Sequence, residues 1–215
     1  MRFQAENRAV LVRGLCLGLL LLLAAQPVMA DPLADFIEAV EEKSEGLTSF
    51  SVPFVQERHL LLFDQVVVFK GELAISRPDK LRWAFLEPVP SVLIFNGRMG
   101  RRCNDQVAPE TFDLDADPVM AMVAQQLWTW LDGRYAKLAT RYDLALKEGT
   151  TLLVTPKEKD MAQFIEQVVI TFDPRTLRPA MVEIIEPGGD MTRLRFGDYQ
   201  PGPLPEHLFE SCGQP

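Results

Sequence analysis

The 215-residue chain has only two histidines and three cysteines, and past residue 30 no apolar run approaches eighteen residues. His59 and His207 with so few thiols give no metal-ligand spacing. No Gly-x-Ser-x-Gly elbow and no glycine-rich phosphate loop occur, which removes the common nucleophilic and nucleotide-dependent chemistries. No catalytic residue is assigned, and neither an enzyme, a metal nor a cofactor is expected. Basic residues are also scarce, 22 Lys+Arg against 30 Asp+Glu, so the chain repels nucleic-acid phosphates rather than binding them. What is present is a globular composition, 47% hydrophobic and 24% charged.

The first 30 residues read as an export signal. Arg2, Arg8 and Arg13 supply a basic start, residues 15–25 an apolar stretch too short to span a bilayer, and Val28-Met29-Ala30 a small-residue cleavage site. Residues 31–215 are then the exported protein, a single domain with 19 Lys+Arg, 29 Asp+Glu and a net charge of −10. Cys16 leaves with the signal, and Leu15 is not the small residue that a lipid-attachment cysteine needs before it. Cys103 and Cys212 remain, either as a disulfide in an oxidising compartment or as two separate thiols.

Asp31-Pro32 starts a helix bearing Leu33, Phe36, Ile37 and Val40 on one stripe, with Gly46 beyond its end. Asp117-Pro118 repeats the signal. Behind it Val119, Val123, Leu127, Trp130 and Leu131 form a stripe widened by Met120, Ala124 and Trp128, and Gly133 supplies the stop. Nearly all else alternates with period two. The strand residues are Phe50 to Phe54, Val66 to Ile75, Leu81 to Phe85, Val92 to Phe95 and, past the Asn96-Gly97 turn, Met99 to Cys103. Leu144 and Leu146, Leu152 and Val154, Phe164 to Phe172, Ala180 to Ile185, and Leu194 with Phe196 continue the pattern. Pro53 suggests an edge or bulge in the first strand, because proline cannot donate to a ladder.

About ten to eleven antiparallel strands make a sheet too wide for two helices to cover flat, so the sheet must curl. The expected fold is mainly β with an α lid: an unclosed antiparallel barrel, or half barrel, covered by two helices. Phe50, Phe54, Leu73, Ile75, Leu81, Trp83 and Phe85 on strands, with Met120, Val123, Leu127 and Trp128 on the second helix, are the large inward candidates. They line either a packed core or an apolar ligand cavity, and composition leaves both open.

Phe50-x-x-x-Phe54-x-Gln56, then Gly71-Glu72-Leu73-Ala74-Ile75-Ser76-Arg77-Pro78-Asp79-Lys80-Leu81-Arg82-Trp83, then Pro88, then Leu93-Ile94-Phe95-Asn96-Gly97, resembles the periplasmic outer-membrane lipoprotein carrier (LolA) family. Met99-Gly100-Arg101-Arg102, where that family has an aromatic strand, and the short stretch after Phe209 mark a divergent member. The resemblance implies a periplasmic carrier whose cavity receives acyl chains of lipoproteins or a related lipid. It also implies an inner-membrane release complex and an outer-membrane receptor as partners, and a monomer is expected. Arg77 matches an arginine that latches the helical lid by hydrogen bonds to its carbonyls. A lipid-responsive sensor that alters a protein contact would use the same half barrel, and the two differ in that only a carrier extracts cargo from a membrane.

Overall fold

The computed structural model describes residues 31–213 except 63, 64 and 105, so the segment read as an export signal lies outside the described residues. Helix α1 spans Pro32–Glu45 and turns Ile37 and Val40 to the interior. Proline suits its first position because an amide there would have no partner within the helix. Helix α2 spans Pro118–Leu131 and is capped by Asp117, whose carboxylate accepts the amides of Val119 and Met120 at 3.1 and 3.0 Å. Its inward stripe is Met120, Val123, Ala124, Leu127, Trp128 and Leu131. Val119 does not join it: at about 100° per residue it falls beyond the flank of that stripe, and it is 61% exposed.

Twelve strands follow one another: β1 Ser49–His59, β2 Val67–Ser76, β3 Lys80–Glu87, β4 Ser91–Asn96, β5 Met99–Asn104, β6 Glu110–Asp113, β7 Tyr142–Lys147, β8 Thr151–Pro156, β9 Gln167–Phe172, β10 Pro179–Ile185, β11 Met191–Phe196 and β12 Gln200–Pro201. They form one antiparallel sheet in the order β6-β5-β4-β3-β2-β1-β11-β10-β9-β8-β7, with β12 added to β1. The end strands β6 and β7 do not pair, which leaves the barrel open. The two strands beyond the expected number, β6 and β12, are four and two residues long, too short to carry a legible alternation. Phe164, read as strand, lies before β9 and is exposed, because β9 begins only at Gln167.

Pro53 lies mid-sheet rather than at an edge. β1 pairs with β2 along its length, and on its other side first with β12 and then with β11. The Pro53 carbonyl accepts from the Gly197 amide at 2.8 Å, so its missing donor faces the break between β11 and β12, where no ladder bond is lost. Gly71, opposite Phe54 across β1 and β2, is required by close approach: a Cβ there would lie 2.2 Å from the Ala84 carbonyl and 2.4 Å from the Phe54 ring. The freed space lets Phe54 meet Trp83 and Phe85 edge-on, each at 5.5 Å.

The period of two divides the sheet cleanly. Leu73, Ile75, Leu81 and Phe95 face inward beneath α2, while α1 and the 3-10 turn Tyr135–Thr140 cover β7 to β9 through Val40, Leu138, Leu152, Val168 and Phe172. Their alternates Ala74 and Ile94 face outward and are covered by Leu208 and Phe209 of a C-terminal strap containing the 3-10 turn Glu206–Phe209. Arg82, only 3% exposed, fastens the strap by donating to the carbonyls of Leu208, Ser211 and Gly213 at 3.2, 2.8 and 2.6 Å. Cys103 on β5 is joined to Cys212 in the strap. Among the described residues no helix is long and apolar enough to cross a membrane.

Candidate functional site

Between α1, the end of α2 and the inner face of the sheet lies a cavity of about 190 Å³. Its walls are Val40 and Leu47 from α1 and the link after it, Leu127, Trp130 and Leu131 from α2, and side chains of β1 to β3 and β9 to β11. The lining is predominantly apolar. A cavity of roughly 150 Å³ with such walls stays dry and admits a small aromatic molecule, while a site for a larger ligand takes about 300–1,000 Å³. In the lid-down arrangement the space therefore fits part of a long chain, and a whole one requires the helices to move outward.

Arg77, at the turn between β2 and β3, closes one end. Its Nη1 donates to the backbone carbonyl of Asp132 and pairs with the Asp132 carboxylate at 3.2 Å. Its Nη2 donates to the Leu131 carbonyl at 3.2 Å and to Ser44 Oγ on α1 at 3.3 Å. One guanidinium thus holds the C-terminal end of α2 and the last turn of α1 together. Helix C-termini suit a cation because their last carbonyls have no partner within the helix. Burial pushes the Arg77 pKa down, opposed by the Asp132 carboxylate. Gly133 is part of the joint, with φ +75 and a position where a Cβ would sit 1.9 Å from Ser44 Oγ. Tyr135 beside it is buried, and burial raises its pKa. The Trp83 indole N–H, also at the cavity wall, is buried without a hydrogen-bond partner among the described residues.

Of the eleven inward candidates, Phe50, Leu73, Trp83 and Leu127 border the cavity. Phe54, Ile75, Leu81, Phe85, Met120, Val123 and Trp128 instead pack solidly beside it, around Phe95 and Ala124. The other half of the wall was not singled out from the sequence: Val168 and Ile170 on β9, Val182 and Ile184 on β10, and Leu194 and Phe196 on β11. Their alternation is plain in the sequence, but only the pairing of β1 with β11 brings that alternation round to face β2 and β3.

The fold and its apolar site together define a carrier-type half barrel with an internal cavity under helical cover. The profile of the family described as outer membrane lipoprotein carrier protein LolA matches residues 45–212, and the chain belongs to that family. It is 24% identical over 200 residues to an outer-membrane lipoprotein carrier protein of Pseudoalteromonas translucida, covering 90% of this chain and 91% of the relative. With another of Alkalilimnicola ehrlichii it is 25% identical over 185 residues, covering 84% and 80%. Among solved structures, the complex of Pseudomonas aeruginosa MucA/MucB aligns with a TM-score of 0.48 at 20% identity, covering 83% of this chain and 60% of that one.

Proposed function

We propose that the protein is a periplasmic carrier that takes the acyl chains of lipoproteins, or of a related lipid, into the cavity and conveys them from the inner to the outer membrane. The observation that supports this most is the apolar space bounded by two helices whose ends meet at a single arginine, in a chain of the lipoprotein carrier family. No covalent step is involved. Each buried methylene contributes about 0.8 kcal/mol, so affinity is easily reached and release is the demanding step. Entry of a chain lifts α2 and breaks the Arg77 contacts to Leu131 and Asp132. Re-forming them restores the closed state and favours departure of the cargo, with Arg77 acting as a latch. The burial cost of the guanidinium keeps closed and loaded states close in free energy. Monomeric action and an export signal in residues 1–30 belong to the same reading.

The test is extraction. Mixed with inner-membrane vesicles holding a triacylated lipoprotein and an active release complex, the protein should carry that lipoprotein into the soluble fraction as a one-to-one complex. Retention of all the lipoprotein in the vesicles, with the protein instead changing its affinity for another envelope protein, would contradict the carrier reading and favour a sensor.

A further inference from the structure

Two arginines line the cavity, Arg77 and Arg178. Arg77 is held through both terminal nitrogens by a carboxylate, two carbonyls and a hydroxyl. Arg178 is not. Its backbone is fixed at the end of the turn between β9 and β10, where its carbonyl accepts from the Asp173 amide at 2.9 Å. Its guanidinium lies over the ring of Tyr199, 5.4 Å from the centroid, and Tyr199 is held in turn by donating to the Pro179 carbonyl at 2.9 Å. No carboxylate or carbonyl among the described residues accepts from that guanidinium. Two acids that could compete for it are already occupied. Asp173 accepts the amides of Arg175 and Thr176 at 3.0 and 2.8 Å and the Thr176 hydroxyl at 3.1 Å, and Asp132 is shared by Arg77 and Arg134.

A half-buried arginine at an apolar wall ordinarily has an anionic partner, because an unpaired charge there is costly. Among the described residues no carboxylate is paired with Arg178. A guanidinium placed over an aromatic face offers a planar fork of donors, which suits two oxygens of one oxyanion. Leu177 and Pro179 on either side of it, and Val182 and Ile184 farther along β10, continue directly into the apolar lining.

We infer that Arg178 is a headgroup site: it binds the phosphate or carboxylate of an anionic amphiphile whose chain lies in the cavity. The inference rests on the reading that the cavity takes acyl chains, and it extends the ligand class from neutral acyl groups to lipids with a charged head.

Titration of dodecyl phosphate, dodecanol and inorganic phosphate into the full protein and into Arg178→Gln, followed by calorimetry, separates the two ideas. The wild type should bind dodecyl phosphate about tenfold or more tightly than dodecanol. That preference should vanish in Arg178→Gln and shrink in Arg178→Lys, which keeps the charge but loses the fork, while dodecanol affinity stays unchanged in both. Inorganic phosphate should not compete with dodecyl phosphate at equal concentration. Equal binding of the two dodecyl compounds by the wild type, a preference that survives in Arg178→Gln, or equal competition by free phosphate would overturn the headgroup site. Absence of binding by dodecanol as well would overturn the acyl-cavity reading beneath it.

Discussion

Three arginines do three different things in this molecule because of what each guanidinium meets. Arg82 is buried on the outer face and donates to three carbonyls of the strap, so it works as a structural rivet. Arg178 meets a ring and, among the described residues, no anion. Arg77 meets groups on both helices, which makes it the one whose loss should change motion rather than folding. Arg77→Leu should still take up acylated cargo but pass it to acceptor membranes about tenfold more slowly or worse; a wild-type transfer rate in vesicle assays would end the latch idea. Arg77 was legible because it stands in an Arg-Pro motif that resembles the carrier family. Arg178 and Arg82 were not, since a charged residue on a strand or turn reads as solvated until the chain that covers it, or the ring beneath it, is known.

At the scale of elements, the helices and hairpins were readable because their punctuation is chemical: Asp-Pro starts, the Asn96-Gly97 turn and alternating strands. Pro53 misled because a gap in a neighbouring strand satisfies proline as well as an edge does. The strap was invisible, since few residues separate Leu204 from the end and none alternates. Its link closes a 109-residue separation, and in the chain-entropy picture removal of such a bridge costs about 4–5 kcal/mol. Cys103→Ser with Cys212→Ser should lower urea stability by several kcal/mol and expose residues 204–213 to hydrogen exchange while the cavity still binds acyl chains. Unaltered stability and exchange would show that Arg82 alone secures the strap.

Across β1, β10 and β11, Glu57, Arg193 and Glu183 stand side by side in register, with Arg195 next to them. The hydrogen bond from Arg195 holds the Glu57 carboxyl below its usual range, against the opposing effect of burial, with His59 and Arg193 assisting. A depressed carboxylate pKa stabilises the fold above the unfolded-state value and loses that contribution as pH falls through the folded-state value. Glu57→Gln should therefore unfold more readily than wild type at pH 7, and the difference should close below about pH 4. A difference independent of pH, measured by urea titration across that range, would point to packing instead of charge.

For the molecule as a whole, the curl of one sheet makes the site. The sheet's share of the wall comes from β1 to β3 and from β9 to β11, and the two are joined where β1 pairs with β11, from Phe54 opposite Phe196 to His59 opposite Met191. Local pattern revealed each half as strands, but whether the enclosed volume is filled or open depends on how side chains far apart in sequence fit together, which periodicity does not encode. The most direct test is photolabelling with a palmitoyl chain bearing a diazirine, followed by peptide sequencing. Adducts should be saturable and concentrated on cavity residues such as Leu127, Ile170, Val182 and Leu194. Labelling confined to outward positions such as Met122, or none that saturates, would contradict an acyl-binding cavity.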